Sequence, residues 1–568
     1  MDVMTTLSLI SIVKLLERAN DAGIIVSFSN DELALSVRKG MHINQQILEE
    51  LRQHKPSLIQ YFQQHKVKEN SITDAPHKMD RDKQRRLPLS FAQERLWFID
   101  KLQGSIQYHM PWVFNLEGRL DRLAMESAFR MVIVRHEVLR TVILEDDGVG
   151  YQDIKPADEW HMTYVTEDAI HQSGHSVSSY ITHITSLPYD LSADWMLKVT
   201  LIERETNLYT LCILLHHIAF DGWSVSILVR ELTALYLSYA KGVKPVLPPL
   251  ALQYADYAIW QRQYLSGNRL EKKIAYWLKQ LKDVQPLAFP TDYPRPKEQI
   301  MSGREASLVC NDILKNALVT LSQEEGATLY MTLLSAFNAL LYRYVSQNDI
   351  CIGSPVAGRQ QQQLESLIGF FVNTLAIRSH ITGEMPFSAL LQQVRQTTLE
   401  AYEHQDVPFE KIVESLGIER DMSRSAVFQV MFALQNTPSV TEPDLGEIRL
   451  TGENNDTATS RFDISLTITL LDSGMQIRIV YNDRLYSELR MEKLLGHYRN
   501  LLESIVADKH TTIGELGMLG SDELQQLLHD FRSPAPVIPA EEKTLPALFR
   551  AAAARTPAAT ALLLKILR

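Results

Sequence analysis

Cysteine is scarce in this chain: three in 568 residues, Cys212, Cys310 and Cys351, with no C-x-x-C pair. That count and spacing leave no room for a disulfide framework or a cysteine-based zinc site. Each cysteine lies in an apolar run, as buried free thiols do, and a reducing, cytoplasmic setting fits. Long apolar stretches are missing too: none reaches the ~18 residues of a membrane span. The apolar residues 1–20 lack the basic start and small-residue cleavage site of a signal peptide. There is no excess of basic charge, since 57 Lys+Arg face 68 Asp+Glu for a net −11. That argues against nucleic acid as a partner. Neither H-E-x-x-H, nor G-x-S-x-G, nor a Gly-rich phosphate loop occurs. Zinc-peptidase, serine-hydrolase and nucleotide-activating chemistry therefore have no footing.

What is present is a long chain of ordinary globular composition, 45% hydrophobic and 22% charged. Its length calls for two to four folding units. The first is small. Leu9, Ile12, Val13, Leu16 and Ala19 form a helical stripe that ends at Gly23. Residues 24–28 and 32–37 read as two strands around Ser29-Asn30-Asp31, a hairpin signal. Short helices at about 43–53 and 56–65 complete an α-β-β-α-α unit over residues 1–66. Residues 67–86 are polar, with almost no apolar side chains, and read as a mobile linker.

The most informative stretch is 208–232. An apolar run of strand length, 208–215, delivers His216 and His217; Asp221 and Gly222 follow. A helical pattern then begins, with Ile227, Leu228, Glu231, Leu232 and Leu235 on compatible faces and Ser224 as the expected N-cap. Strand, polar turn and helix together are a common way to build a site. If the strand continued, the two histidines would face opposite ways. Adjacent histidines on a strand do not easily share one ion, and no third ligand is evident, so no metal is expected.

Six further stretches stand out: SFAQERLW at 90–97, RHEVLRT at 135–141, YADYAIW at 254–260, IGFFVNT at 368–374, HQDVPFE at 404–410, and RDMSR at 420–424 with VFQVMF at 427–432. With the HHxxxDG turn, in this order and spacing, they resemble the seven signature motifs of nonribosomal peptide synthetase condensation domains. These belong to the chloramphenicol-acetyltransferase-like superfamily. The resemblance implies an α/β fold of two chloramphenicol-acetyltransferase-like lobes in a V-shaped pseudodimer, residues 87–264 and 265–530, with the active site between them. Alternating helices and strands over both halves agree, including amphipathic helices at about 311–322 and 328–345.

The family reaction is amide formation: the α-amine of an aminoacyl thioester on one carrier protein attacks a donor acyl or peptidyl thioester on another. The resemblance implies no cofactor bound by the chain itself, because both substrates ride on phosphopantetheine arms of partner carriers. His217 then takes the amine proton as a general base or only orients the amine, and His216 supports it within its lobe. Asp221 either orients His217 or pairs with an arginine; the family pattern favours the pair, with Arg359 as partner and Arg140 as the alternative. Gly222 would let a backbone N–H approach the reacting carbonyl, and Trp223, Ser224 and Asn373 are expected along the substrate channel. The histidine pair disfavours heterocyclisation, and HQDVPFE disfavours epimerisation. The sequence around Asp190-Leu191-Ser192 and 254–260 favours an L-configured donor.

Residues 1–66 resemble N-terminal docking domains of the tubulysin-synthetase type, whose hairpin adds a strand from the C-terminal peptide of a partner synthetase. Ile25, Phe28, Leu33 and Leu35 are the expected hairpin contacts. The donor carrier would then arrive on a separate polypeptide; a homodimer through the docking domain is a further option, and an accessory cap on the main body is the rival reading. Over 531–568, Pro534, Pro536 and Pro539 mark a linker, and TLPALF at 544–549 resembles the opening of an adenylation domain that stops at Arg568. An adjacent adenylation domain in a longer synthetase is therefore expected. Two other functions compete. One is a superfamily acyltransferase using soluble coenzyme A thioesters, disfavoured by the 368–374 and 404–410 stretches. The other is a non-catalytic recruitment platform, disfavoured by the intact His217, Asp221 and Gly222.

Overall fold

The computed structural model describes residues 19, 24–29, 32–37, 45–55, 75–81, 84–418, 421, 423–435, 445–452, 458–530 and 544–558, without the side chains of 24–29, 32–37, 45–46, 458–459 and 530. Strands β1 (Ile24–Ser29) and β2 (Glu32–Val37) pair antiparallel with Phe28 opposite Leu33, and helix α1 (Gln45–Gln53) follows. The expected helix over 56–65, nearly all of that over 5–21, and the side chains of Ile25, Phe28, Leu33 and Leu35 lie outside the described residues.

The first lobe runs β3 (Leu87–Pro88), α2 (Phe91–Gln103), β4 (His109–Glu117), α3 (Arg122–Arg135), β5 (Thr141–Asp146), β6 (Val149–Ile154), β7 (Thr163–Thr166), α4 (Glu167–Gln172), α5 (Val177–Ser186), β8 (Leu197–Glu205), β9 (Leu208–His216), α6 (Gly222–Ala240) and α7 (Tyr254–Tyr264). The second runs α8 (Gly267–Gln280), β10 (Ser302–Asn311), α9 (Asp312–Glu324), α10 (Leu329–Val345), β11 (Asp349–Val356), β12 (Asn373–His380), α11 (Phe387–Glu403), α12 (Phe409–Leu416), β13 (Val430–Gln435), β14 (Arg449–Gly452), β15 (Ala458–Thr459), β16 (Ile464–Leu471), β17 (Gly474–Asn482) and α13 (Glu488–Ala507). Residues 518–568 form a separate unit with helices α14 (Ser521–Gln525) and α15 (Leu545–Arg555). Among the described residues no helix is long and apolar enough to cross a membrane.

Each lobe is built on a mixed sheet. The first has the order β14-β4-β9-β8-β7, the second β12-β11-β13-β16-β17-β10-β15. In the first, β9 lies between β4 and β8, and both of its faces are covered. Leu211, Ile213 and Leu215 join the main core, while Cys212 joins Val113, Ile170, Val177, Ile181 and Ile202 in a second cluster that includes residues of α4 and α5. A fully buried Leu or Ile contributes about 1.5–3 kcal/mol, which explains why 208–215 reads as an unbroken apolar run rather than an alternating one. In the second lobe every residue of α10 from Met331 to Leu341 is buried, the pattern of a helix covered on all sides.

The division of lobes by sequence is not the division in space. Strand β14 lies late in the chain, yet it pairs antiparallel with β4 of the first lobe, Arg449 opposite Glu117 and Gly452 opposite Phe114. The approach is close at Gly118 (φ +129°), where a Cβ would lie 2.4 Å from the Glu447 carbonyl oxygen. Leu445, Ile448 and the 364–371 segment also pack into the first lobe's core. The polar stretch expected as a mobile linker is likewise tied down near its end. Arg81 donates from Nε and Nη2 to the Asp256 carboxylate (2.9 and 2.8 Å) and from Nη1 to Glu137 (2.6 Å), and the Met79 N–H also reaches Asp256 (3.2 Å). Asp256 is 1% exposed, so a buried carboxylate supplies the reason for the anchoring.

Removing one partner of such a pair strands the other charge. Arg81→Ala is expected to lower stability by about 3 kcal/mol in urea unfolding; a change below about 0.5 kcal/mol, the scale of an ordinary surface substitution, would show that the segment is not anchored.

Candidate active site at the lobe junction

Strand β9 stops at His216, and a 3₁₀ turn, His217–Ala219, takes over before α6. The two histidines part ways because the strand ends between them, not because its pleat continues. His216 turns into its own lobe. Its Nδ1 accepts from the Ile218 N–H (3.1 Å), so Nε2 carries the proton and donates to Ser105 Oγ (3.0 Å), which in turn donates to Asp100. Burial pushes the His216 pKa down to about 3.

His217 faces a cavity of about 1810 Å³ whose walls come from both lobes. Its ring stands edge-on to Phe370, centroids 4.7 Å apart. Nδ1 is buried, which leaves Nε2 as the nitrogen open to the cavity; the backbone of His217 and Phe220 interacts with the ring without offsetting its burial. Burial first, then the positive charge of Arg461, hold the His217 pKa down at about 4. The imidazole is therefore neutral near pH 7 and able to accept a hydrogen bond or a proton.

Asp221 does not touch His217 in the hydrogen-bond network. It caps α6, the position expected for Ser224, which instead sits three residues into the helix. Asp221 Oδ1 accepts from the Ser224 N–H (2.9 Å), the Ser224 hydroxyl (2.7 Å) and Arg359 Nη2 (3.0 Å); Oδ2 accepts from the Phe371 N–H (3.0 Å). Arg359 donates from Nη1 to the Leu364 and Leu367 carbonyls, both at 2.6 Å, and its guanidinium lies 4.1 Å over the Phe371 ring. Both side chains are out of water, at 0% and 1% exposure. Gly358 makes the fit possible: its φ is +66°, and a Cβ there would lie 2.0 Å from the Phe371 carbonyl oxygen. Arg140, the other candidate, is elsewhere, bonded to the Lys155 carbonyl and near Glu137.

Of the three expected channel residues, one lines the cavity. Asn373 is on the wall, and its amide is fully used: Nδ2 donates to the Gln405 and Val407 carbonyls, and Oδ1 accepts from the Thr374 and Phe409 N–H groups. It thus shapes the HQDVPFE turn. Trp223 points away, donating from Nε1 to the Glu365 carbonyl (3.1 Å). Ser224 is buried and spent on the Asp221 network, with further bonds to Gly369. Both departures follow from α6 starting at Gly222 rather than after Ser224. At Gly222 a Cβ would meet nothing within 4 Å, so nothing in the protein itself demands glycine there.

Other contacts at the junction join stretches that the sequence marks without assigning their residues a role. Ser90, Tyr254 and Phe370 meet through Tyr254 Oη, 2.9 Å from Ser90 Oγ and 2.6 Å from the Phe370 carbonyl. His136 accepts from the Ile368 N–H at Nδ1 (3.3 Å) and donates from Nε2 to Glu231 (2.9 Å). Arg95 and Glu410, both on the cavity wall, pair at 2.6 Å. Each bond joins two of the stretches singled out in the sequence, or one of them to α6. Arg461 also lines the cavity, but it lies in none of those stretches, and no sequence signal marks it.

The profile of the Condensation domain family matches residues 83–528, and that of the TubC N-terminal docking domain matches residues 12–64. The chain is 42% identical over 464 residues to a linear gramicidin synthase of Brevibacillus parabrevis, covering 81% of this chain and 6% of that protein. It is 37% identical over 497 residues to a plipastatin synthase of Bacillus subtilis (strain 168), covering 86% and 19%. The chain therefore spans a small part of the synthases that it matches. Among solved structures, the X-domain from teicoplanin biosynthesis superposes with a TM-score of 0.70 at 26% identity, covering 78% of this chain and 100% of that one; that X-domain has also been solved in complex with OxyB. The first condensation domain of the CDA synthetase shares the fold, with a TM-score of 0.62 at 18% identity, covering 77% and 100%.

Two outcomes test the junction. Arg359→Ala leaves Asp221 buried without its cation and is expected to cost about 3–5 kcal/mol in denaturant unfolding. The histidines set a pH dependence. His216 and His217 bind a proton near pH 6.5 when unfolded but only near 3 and 4 when folded. The unfolded state thus holds more protons below pH 6.5, and stability should fall as pH drops from about 6.5 towards 4. His216→Gln should make that decline shallower; an unchanged slope would remove His216 as a source.

Proposed function

Because the chain belongs to the condensation-domain family of nonribosomal peptide synthetases and carries a TubC-type docking domain, we propose that it forms an amide bond between two carrier-bound thioesters. The donor is an acyl or peptidyl thioester, the acceptor the α-amine of an aminoacyl thioester. The observation that carries this reading is His217 Nε2, neutral and open to a cavity that both lobes line.

The chemistry asks little of the side chains. A free α-amine has a pKa of about 8, so a useful fraction is already neutral at pH 7, and a thioester is already activated. What remains is to hold the two centres together, to accept a hydrogen bond or proton from the amine, and to stabilise the tetrahedral oxyanion. His217 performs the second task. Asp221 acts at a distance, since its carboxylate is committed to Arg359, Ser224 and Phe371. Gly222 leaves room beside the start of α6 for the reacting carbonyl.

The docking domain delivers the donor in trans. Among the described residues no third strand pairs with either edge of the β1–β2 hairpin, and an unpaired edge is what a partner's C-terminal peptide would extend. The donor carrier then sits on a separate polypeptide, and its terminal residue is L-configured. Acceptor carrier and adenylation domains follow in a longer synthetase. A recruitment platform is the second reading, supported by the likeness to an X-domain solved with OxyB.

Donor and acceptor carriers loaded with aminoacyl phosphopantetheine should yield dipeptidyl thioester, detected by mass spectrometry. Product from soluble coenzyme A thioesters alone would favour the superfamily acyltransferase, and no product at all the platform. His217→Ala should slow single turnover by about 10²–10⁴-fold if the ring takes the proton; a smaller loss assigns it to orienting the amine. Deleting residues 1–66 should weaken reaction with the native donor carrier but leave the rate with saturating donor largely intact.

A further inference from the structure

The cavity beside His217 carries a cation that no carboxylate among the described residues neutralises. Arg461 lies just before β16, on the wall that His217 also lines. Its guanidinium stacks 4.3 Å over the Tyr108 ring and donates from Nη2 to the Gln107 carbonyl (2.9 Å), both on the opposite lobe. Among the described residues no carboxylate lies within ion-pair distance. Asp463, two residues on, is taken by Arg295. Glu410, on the same wall, is taken by Arg95. The other charge that bears on Arg461 is Arg95 itself, and it opposes rather than balances it. A guanidinium has five N–H donors, and the contacts shown use one of them, together with the ring face.

Arg461 is half-buried, and its remaining N–H groups are not among the buried, unpartnered atoms, so they are open to the cavity and placed to meet an anion that forms there. The amide-forming reaction proposed above, on which this inference rests, starts from two neutral groups, an amine and a thioester. The amine nitrogen bonds to the carbonyl carbon, and the carbonyl π pair moves onto oxygen. Collapse restores that pair, breaks the C–S bond, and the departing sulfur takes the proton that the nitrogen loses. The one negative charge that this sequence creates on the acyl group is the tetrahedral oxyanion.

We propose that Arg461 is a catalytic residue that places its positive charge against that oxyanion. The same placement explains His217. A nearby cation disfavours protonation of the ring while the site is neutral, and that penalty is offset once the oxyanion forms. The proton is then accepted in step with bond formation rather than before it. An acceptor that enters as an ammonium is disfavoured for the same reason, so the site selects the neutral amine.

The test compares wild type, Arg461→Gln and Arg461→Lys in single turnover with loaded carriers, after each is shown to unfold at a similar urea midpoint. Arg461→Gln should slow the chemical step by about 10²–10³-fold, the usual effect of removing one oxyanion donor, with half-saturating carrier concentrations within about twofold. Arg461→Lys should recover part of the rate. A wild-type rate in Arg461→Gln, a loss carried by carrier affinity alone, or Lys no faster than Gln would overturn the assignment. So would a loss confined to donors with acidic side chains, which would make Arg461 a side-chain selector. A second readout does not depend on turnover. The charged groups facing His217 are Arg461 and the Asp221 carboxylate, the latter paired with Arg359. Arg461→Gln should therefore raise the His217 titration midpoint, read by NMR of carbon-labelled histidine; an unmoved midpoint removes the electrostatic link. Wild type that makes no dipeptide, with the midpoint shifting as expected, would sink the amide-forming reading and not the charge placement.

Discussion

The Asp221–Arg359 pair is the constraint on which the site depends. Asp221 begins α6 in the first lobe, while Arg359 follows β11 in the second. Their contact, with Ser224, the 364–367 carbonyls and the Phe371 N–H, ties the histidine turn to chain more than 130 residues further on. A buried ion pair of this kind is weak as a source of net stability, because two desolvation penalties stand against the attraction. Its value lies in geometry: satisfying both charges holds the start of α6, just after the turn carrying His217, against the second lobe. The near-contact at Gly358 belongs to the same constraint, since any side chain there would push Arg359 away from Asp221.

That arrangement explains why the informative stretches are scattered through the sequence yet belong together. Ser90, His136 and Tyr254 are far apart in the chain, yet Ser90 bonds to Tyr254, and His136 and Tyr254 bond to the 368–370 loop, while Asn373, next along that loop, bonds to the 405–409 turn. Each bond needs a particular donor or acceptor at a particular place, and that leaves a local signature. The strand–turn–helix of 208–232 and the β1–β2 hairpin are legible because periodicity marks them locally; a buried Asp221 demands a cation, but the choice of Arg359, 138 residues away, over Arg140 comes from the family resemblance. Strand β14 is not legible. Four residues, Arg449-Leu450-Thr451-Gly452, carry little periodicity, and nothing local says that their partner lies in the other lobe. Trp223 and Ser224 fall outside the channel because α6 is capped three residues earlier than expected, at Asp221 rather than Ser224, and such a shift turns the face each side chain presents. Arg81 reads as linker because its purpose, a buried Asp256, is 175 residues away.

Neutrality is the theme of the chemistry at this junction. Of the two charged groups that act on His217, Asp221 is paired with Arg359 and Arg461 has no carboxylate partner among the described residues, and the two histidines are held uncharged by burial. For the amide-forming reaction proposed above, which starts from two neutral groups, such a site would keep its uncompensated positive charge for the one negative charge that forms.

The sparse cysteines bear on a hazard of handling activated acyl groups. A thiol near a thioester can capture the acyl chain by exchange, and the protein would then acylate itself. Cys212 sits five residues before His217, the nearest thiol to it along the chain. Burial pushes it and Cys351 up to about 12, and pushes Cys310 upward as well. The thiolate is the nucleophile in such an exchange, and at neutral pH a group with so high a pKa supplies almost none. All three thiols are buried besides. On the proposed reaction, none of the three thiols would compete with the amine for an acyl group brought to this cavity.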